Sequence, residues 1–390
     1  MKTKVPYYYK DFKCIASECP DTCCAGWEII IDEDTHEKYK NATGKFGEIL
    51  RSKITLYEDG EPGFILDGDD CPFLNKNKLC DIYSELGEES LCNTCKQFPR
   101  FIEEYGDTRE IGISISCPEA ARIILDNDKK VEFEINEDDE MVSAYDDINY
   151  DLFSQLMPAR KIALNIIQNR SMTLKNRIAL LISFAQDIQD KIDANKVSKV
   201  EEVRKNYLDE DFIESFIKQL NRYEGKGKSK YDNMHKYFQV YKSLEHIDEN
   251  WPKVVDHTFE YFYKVNNDHQ LYINKHNEFN KYYKEKEYEY EHLIVYFIFR
   301  YFMKAVYDYD VLAKVKLAVV SYLIIKELDV IRWIDNKGDL SKQDQIDLMH
   351  MYSKDIEHSE DNLEELAQIF EINKVFRLEE ILIMIMNSEN

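Results

Sequence analysis

Residues 288–307 read YEYEHLIVYFIFRYFMKAVY, and residues 312–328 read LAKVKLAVVSYLIIKEL. A helix drawn through either stretch carries apolar or aromatic side chains on nearly every side, which is typical of a helix buried at the centre of a domain. Residues 173–192 show instead a wide apolar stripe at three- and four-residue spacing. We therefore predict a large helical domain that contains two central buried helices.

Further helices are predicted towards the end of the chain. Ser341 and Asp344 have the spacing of a capping pair, which would begin a helix that continues through residues 346–352. Residues 364–370 and 378–386 also have helical periodicity. After residue 135 the chain contains only three glycines and two prolines, so its elements are expected to be long.

The first third of the chain has a different composition. It holds nine of the twelve glycines and six of the eight prolines, residues that favour turns, so short elements are expected. The predicted elements are strands over 27–31, 63–66 and 130–135, a hairpin over 101–116 and a helix over 119–125.

An acidic stretch at residues 136–140 is the predicted domain boundary. The predicted fold is α+β and mostly α. A small cysteine-rich domain of short strands and turns is predicted over residues 1–135. A large all-helical domain over residues 141–390 follows, and it is the candidate for binding substrate or cofactor.

Composition and charge exclude several classes of protein. With 390 residues, 44% of them hydrophobic, the chain can bury a core and is neither disordered nor a small disulfide-stapled domain. No apolar run of about 18 residues occurs, so no membrane partner is expected. The start lacks an apolar secretory segment, which predicts the cytoplasm. A net charge of −24 argues against nucleic acid, because binding there requires neutralisation of phosphates by cations.

All nine cysteines fall between residues 14 and 117. Disulfides are disfavoured because cytosolic thiols stay reduced, and ordinary buried thiols would not crowd into about a quarter of the chain. Metal ions and iron–sulfur clusters require about four converging thiolates, which short loops supply readily. We therefore predict that the domain over residues 1–135 binds a metal ion or an iron–sulfur cluster. The candidate metal ligands are Cys14, Cys19, Cys23, Cys24, Cys71, Cys80, Cys92, Cys95 and Cys117.

The spacing leaves the choice between zinc and iron–sulfur open. Two zinc sites of four cysteines each would use eight of the nine thiolates, whereas one or two clusters would leave spare thiols. The adjacent pair Cys23 and Cys24 is unusual for a zinc knuckle, which normally has a two-residue gap, and this slightly favours iron–sulfur.

The cysteine motifs resemble those of known families. Residues 12–27, FKCIASECPDTCCAGW, and residues 116–122, SCPEAAR, resemble the flagellin lysine N-methylase family (FliB-type). Residues 71–74, 79–83 and 95–100 resemble the wider YkgJ-type cysteine-cluster proteins. These motifs cover about a third of the chain, and the long helical remainder also resembles the methylase family.

The resemblance implies an enzyme that transfers methyl groups from S-adenosylmethionine to lysine side chains of flagellin. It also implies a [4Fe–4S] cluster held by the matching cysteines, without identifying the four that bind iron. The alternative is a non-enzymatic interaction or redox module that carries a cluster or zinc. The chain lacks a glycine-rich nucleotide loop, since Gly44, Gly47, Gly60 and Gly63 fit turns. The Cys-x3-Cys-x2-Cys motif of radical enzymes is also absent.

Methylation of lysine sets a requirement of its own. The amine must be neutral to attack a methyl carbon, so its ordinary pKa of about 10.4 must be overcome by burial or by a base. A tyrosine or a carboxylate is the expected helper. With 27 tyrosines and 75 acidic residues, the sequence leaves the catalytic and cofactor-binding residues unassigned. The aromatic stretch 296–302 is predicted to pack in the core.

Overall fold

The computed structural model of the chain describes residues 1–25, 29–57, 60–68, 70–77, 79–139 and 148–386. It is 66% helical, with a small sheet region near the N-terminus and a large helical part after it. The prediction of an α+β fold that is mostly α is confirmed.

A four-stranded sheet forms from both ends of the first third of the chain. Its strands are β1 (Lys2–Pro6), β4 (Arg100–Tyr105), β5 (Thr108–Ile113) and β6 (Phe133–Glu137), in the order β4-β5-β1-β6. The β4–β5 hairpin confirms the predicted hairpin. β1 is parallel to β5 and antiparallel to β6. β6 begins three residues later than predicted and continues into the acidic stretch, because its pairing with β1 reaches Glu137.

The segment between the sheet strands contains a two-stranded sheet of β2 (Ile54–Leu56) and β3 (Pro62–Phe64). β3 corresponds to the strand predicted over 63–66, but it begins one residue earlier and ends two residues earlier. Of the strand predicted over 27–31, Ile30 forms a single bridge to Gly63, and residues 27 and 28 lie outside the described residues. Five helices belong to the first third: α1 (Glu33–Lys40), α2 (Gly44–Ser52), α3 (Asp81–Leu86), α4 (Asn93–Gln97) and α5 (Pro118–Ile124).

The remainder of the described chain is helical. Its helices are α6 (Tyr150–Ile167), α7 (Leu174–Asp193), α8 (Val200–Asn206), α9 (Glu210–Leu220), α10 (Gly227–Tyr241), α11 (Trp251–Glu260), α12 (His269–Tyr283), α13 (Glu287–Tyr301), α14 (Ala305–Asp308), α15 (Val311–Asp335), α16 (Lys342–Glu357), α17 (Glu360–Ile372) and α18 (Leu378–Met386). Among these described helices, none has both the length and the apolar character that crossing a bilayer requires.

Both predicted central helices are present. The first, α13, ends at Tyr301 rather than continuing to residue 307, because a short 3₁₀ turn follows it. The second, α15, is longer than predicted and spans 25 residues. The predicted capping pair is confirmed as a reciprocal capping box. Asp344 N–H donates to the Ser341 hydroxyl at 3.1 Å, and Ser341 N–H donates to the Asp344 carboxylate at 3.0 Å.

The apolar residues form two cores. The large core includes α15, the helices packed against it, and residues of β4, β5 and α5. The small core consists of nine buried residues between positions 29 and 92, with further cysteines packed against it. The four-stranded sheet therefore shares the core of the helices. The division of the chain at residues 136–140 stays a prediction, since residues 140–147 lie outside the described ranges.

A buried ion pair fixes the sheet against the helices. Arg160 of α6 donates to the Glu110 carboxylate of β5 at 2.5 Å, and both side chains are almost completely buried. The same guanidinium donates to the backbone carbonyl of Phe299 in α13 at 3.3 Å. Removing one partner of such a pair would leave an uncompensated buried charge, so the pair holds the sheet in one position.

Asp329 provides a pH-dependent test of the packing around α15. Burial raises the pKa of its carboxyl to about 8, although the hydroxyl of Tyr290 donates to it at 2.6 Å. Since the unfolded value is about 3.9, folding favours the protonated form. That stabilising contribution is complete below the unfolded pKa and is lost as the pH rises through the folded pKa.

We expect Asp329→Asn, which mimics the protonated carboxyl, to become increasingly stabilising relative to wild type as the pH rises. Urea denaturation at about pH 5.5 and about pH 8.5 measures the difference in unfolding free energy. Asn274→Gln, at an exposed position of α12 and without a titratable group, is the control and should show a difference that does not change with pH. A constant difference for Asp329→Asn as well would contradict the prediction.

Candidate functional site

Five cysteines surround the small core, and we call them the inner thiol group. Cys71 and Cys92 are buried members of that core, and the other three pack against it. The backbone N–H of Cys71 donates to the carbonyl of Cys24 at 2.7 Å, which joins two distant loops. The members of the inner thiol group are Cys24, Cys71, Cys80, Cys92 and Cys95.

The remaining four cysteines, Cys14, Cys19, Cys23 and Cys117, form the outer thiol group. The hydrogen bond with Cys24 is the main cause that raises the pKa of Cys23, and negative charge on Cys14 and Cys117 adds to the shift. Burial raises the pKa of Cys117 to about 11, and Cys19 and Cys14 add to the shift. These four thiols therefore interact with one another. Cys117 belongs to the large core rather than to the small one.

The local fold places three of these sulfurs at the start of a helix, where backbone N–H groups oppose part of the effect of burial on their pKa. Cys80, Cys92 and Cys117 occupy the residue before α3, α4 and α5. The first N–H groups of a helix have no partner within it and can donate to such a sulfur. Burial raises the pKa of Cys80 and of Cys117, and these backbone N–H groups oppose part of the shift. Burial also raises the pKa of Cys71 to about 12, and the neighbouring Cys24, Cys80 and Cys92 add to the shift. A bound cation would relieve this repulsion between thiolates.

The donor set fits a thiophilic metal centre in kind and number. All nine cysteines are free thiols, and five of them belong to the small core or pack against it. As the side chains stand in the described ranges, no three Cys, His, Asp or Glu residues are arranged to hold one ion. The structure thus places five of the nine predicted ligands at the small core, and Cys23 of the outer thiol group contacts that set through its hydrogen bond with Cys24. The role of each cysteine as a ligand stays a prediction.

A junction joins the outer thiol group to α16. Asp21 accepts hydrogen bonds from His350 at 2.8 Å and from Lys354 at 2.9 Å. Burial opposes ionisation of Asp21, but these hydrogen bonds outweigh it and hold its pKa well below the usual range. α16 also packs against α5, the helix that follows Cys117. Between these elements lies a cavity of about 20 Å³, room for one water molecule, lined in part by Thr22, Cys23, Phe98, Ser116, Lys354 and His358.

Close to the junction, a buried carboxylate at the end of α16 collects several donors, and we call this the Glu357 network. One oxygen of Glu357 accepts from the hydroxyls of Tyr296 at 2.9 Å and Tyr301 at 2.8 Å. The same oxygen lies 3.0 Å from the guanidinium of Arg300. The other oxygen accepts from the hydroxyl of Ser353 at 2.5 Å. Both oxygens of the buried carboxylate therefore have hydrogen-bond partners within the protein.

The network extends from α13 towards the cysteines. Arg300 donates to the hydroxyl of Ser114 at 2.9 Å, and the hydroxyls of Ser114 and Ser116 lie 2.8 Å apart. Ser116 lines the junction cavity and precedes Cys117 in the chain. A chain of polar groups thus connects the centre of the helical part with the outer thiol group.

The electrostatics of this region disfavour an additional positive charge. Burial lowers the pKa of His358 to about 4, and the cations Arg300, Lys354 and His350 add to the shift. Burial raises the pKa of Tyr296 and of Tyr301, so both hydroxyls stay protonated and act as donors. An amine brought to this region would experience the same influences, which favour its neutral form.

The prediction that the aromatic stretch 296–302 packs in the core is correct for some of its side chains and incomplete for others. Phe297 and Phe302 are fully buried in the large core, but the two tyrosines place their hydroxyls in the Glu357 network. Sequence reasoning did not identify this network. The available signal was the occurrence of Tyr296, Arg300 and Tyr301 within residues 293–301, the otherwise apolar second half of α13, since buried polar groups require partners.

Comparison with known proteins identifies one family and several relatives. The model of the FliB lysine N-methylase C-terminal domain family matches residues 160–384. The flagellar biosynthetic protein FliU of Salmonella muenchen is 34% identical over 130 residues, which cover 31% of this chain and 76% of that protein. The lysine-N-methylase of Salmonella typhimurium is 29% identical over 215 residues, 51% of each chain.

The lysine-N-methylase of Salmonella choleraesuis gives a similar match, with 28% identity over 213 residues. The chain therefore spans about half the length of the two lysine-N-methylases it matches. No solved structure matches this chain.

The Glu357 network makes a prediction about stability. Glu357→Gln leaves Arg300 without its buried counter-charge, and we expect the unfolding free energy to fall by roughly 3 kcal/mol. Urea denaturation followed by circular dichroism measures this change. The control is Glu360→Gln, an exposed position on the next helix, which should change stability by no more than about 0.5 kcal/mol. Equal stabilities of the two variants would show that the ion pair is not structurally important.

Proposed function

The chain belongs to the FliB lysine N-methylase family, and from this membership we propose that it transfers methyl groups to lysine side chains of a protein. The match of the family model over residues 160–384 carries the proposal. That range contains Tyr296, Arg300, Tyr301 and Glu357, so we place the acceptor amine next to the Glu357 network. The network adjoins the junction with the outer thiol group, where the two parts of the chain meet.

We further propose S-adenosylmethionine as the methyl donor and flagellin as the substrate. The names of the relatives support both parts, since two are lysine-N-methylases and one is a flagellar biosynthetic protein. S-adenosylmethionine, when bound, supplies a methyl carbon on a sulfonium, so transfer forms an N–C bond, breaks an S–C bond and releases one proton from the amine. We place the protein in the cytoplasm, where free thiols stay reduced.

The residues of the network suit the acceptor side of this reaction. A lysine amine has to lose its proton before it attacks, and the burial and positive charge around Arg300 favour the neutral amine. The hydroxyl of Tyr301 is held by Glu357 at 2.8 Å, so its oxygen has a fixed position from which to accept a hydrogen bond from the amine. Water is excluded from most of this network, which strengthens these interactions.

We propose that the cysteines hold metal in two separate centres, as [4Fe–4S] clusters or as zinc. The outer thiol group supplies four sulfurs and the inner thiol group five. Bound metal would cross-link loops that otherwise share a core of nine buried residues. Cys71 and Cys92 belong to the small core and Cys117 to the large one, which supports two centres. The hydrogen bond between Cys23 and Cys24 places those centres next to each other.

The experiment that tests the activity uses protein purified anaerobically with its metal, flagellin and S-adenosylmethionine. We expect mass increments of about 14 Da on lysine, and Tyr301→Phe should lower kcat by about tenfold because one positioning hydrogen bond is lost. Tyr309→Phe, at an exposed position outside the network, is the matched control and should retain the wild-type rate. If the metal-loaded wild type methylates no lysine, the enzyme proposal is wrong and the non-enzymatic module replaces it.

The two-centre proposal has a separate test in metal content. Cys80→Ser in the inner thiol group and Cys14→Ser in the outer group should each remove about half of the bound metal, and the double variant nearly all of it. Elemental analysis measures the content, and absorbance near roughly 400 nm distinguishes iron–sulfur from zinc, which is colourless. Loss of all metal from each single variant would indicate one shared centre. Full metal content in both would show that neither position is a ligand.

A further inference from the structure

A groove lies between the end of α13, the start of α15 and α17, and we call it the α17 groove. Its volume is about 360 Å³, within the range of roughly 300–1,000 Å³ typical of ligand sites. Residues that line it include Tyr301, Lys304, Lys314, Leu317, Glu360 and Glu364.

Among the described charged residues that line the α17 groove, two carboxylates have no ion-pair partner. Lys304 is paired with Glu103 at 2.7 Å, and Lys314 is paired with Asp308. Glu360 and Glu364 are exposed and lie four residues apart, so they share one face of α17. Within the part of the chain that the structure describes, neither has a hydrogen bond or an ion pair. The mouth of the groove therefore carries unpaired negative charge.

The interior of the α17 groove is apolar and leads to the Glu357 network. Leu317, Leu363 and Phe370 contribute hydrocarbon walls. Tyr301 lines the groove, while its hydroxyl donates to the carboxylate of Glu357 at 2.8 Å. A single side chain thus connects the groove with the buried network.

These features match the chemistry of a lysine side chain, which has a cationic end on an apolar stem. We propose that the α17 groove binds the segment of the protein substrate that carries the target lysine, an inference that rests on the proposed function. Glu360 and Glu364 attract the cationic segment at the mouth, and the methylene stem packs on Leu317 and Leu363. The amine then lies beside Tyr301.

The test uses the double variant Glu360→Gln/Glu364→Gln of the full, metal-loaded chain. The probe is a synthetic peptide with two lysines in an otherwise uncharged sequence, and titration calorimetry measures its Kd. We expect binding to be about tenfold weaker in the double variant than in wild type, with the difference shrinking as added salt screens the charges. A peptide with norleucine at both lysine positions should bind neither protein.

The matched control is Asp361→Asn/Glu365→Gln, which removes two exposed carboxylates, also four residues apart, from the neighbouring strip of the same helix. It should bind the peptide as wild type does, apart from the small effect of net charge. Equal weakening in both double variants would overturn the proposal, because it would show a general effect of charge. Unchanged peptide binding in Glu360→Gln/Glu364→Gln would also overturn it.

Two further results separate this proposal from its alternatives. If the Glu360→Gln/Glu364→Gln variant loses affinity for S-adenosylmethionine but not for the peptide, the groove holds the methyl donor and the proposal is wrong. If wild type binds the peptide through these carboxylates but methylates no lysine, the groove assignment stands and the proposed function is wrong. In a working enzyme, the variant should raise KM for the peptide and leave kcat unchanged.

Discussion

The helix α15 is buried along nearly its whole length of 25 residues, so other elements have to cover every face of it. Helices α7, α11, α12, α13, α16 and α17 provide that cover. The sheet packs on another side of α13. The ring centroid of Phe299 lies 6.1 Å from that of Phe101 and 4.7 Å from that of Phe133. The position of α16 against both α15 and α5 follows from this packing, and it brings Glu357 towards the cysteine loops.

Sequence periodicity predicts the parts of the fold that are governed by local patterns. The two central helices, the capping box at Ser341 and the β4–β5 hairpin depend on residues close together in the chain, and all are confirmed. The strand β1 was not predicted, because its parallel partner β5 lies about a hundred residues away. Non-local pairing leaves no periodic signal in so short a segment.

The candidate site shows the same limit. The set of nine cysteines is evident from composition, whereas its division depends on which loop packs on which core: Cys117 precedes α5 in the large core, and Cys92 lies in the small one. The Glu357 network draws residues from β5's end, α13 and α16, so only folding brings them together. Tyr296 and Tyr301 cannot be distinguished from 25 other tyrosines without knowing where Glu357 lies.

The two thiol groups differ in what surrounds them, and this difference bears on their roles. The inner thiol group lies in a segment with nine buried core residues, where cross-links would replace the apolar contacts that such a small core lacks. The outer thiol group is anchored through Cys117 to the large core, which is extensive without it. It is also the group that the chain of Ser116, Ser114 and Arg300 connects to Glu357. If both groups bind metal as proposed, the metal of the inner thiol group would mainly stabilise the fold. The metal of the outer thiol group would lie closer to the proposed site of methyl transfer.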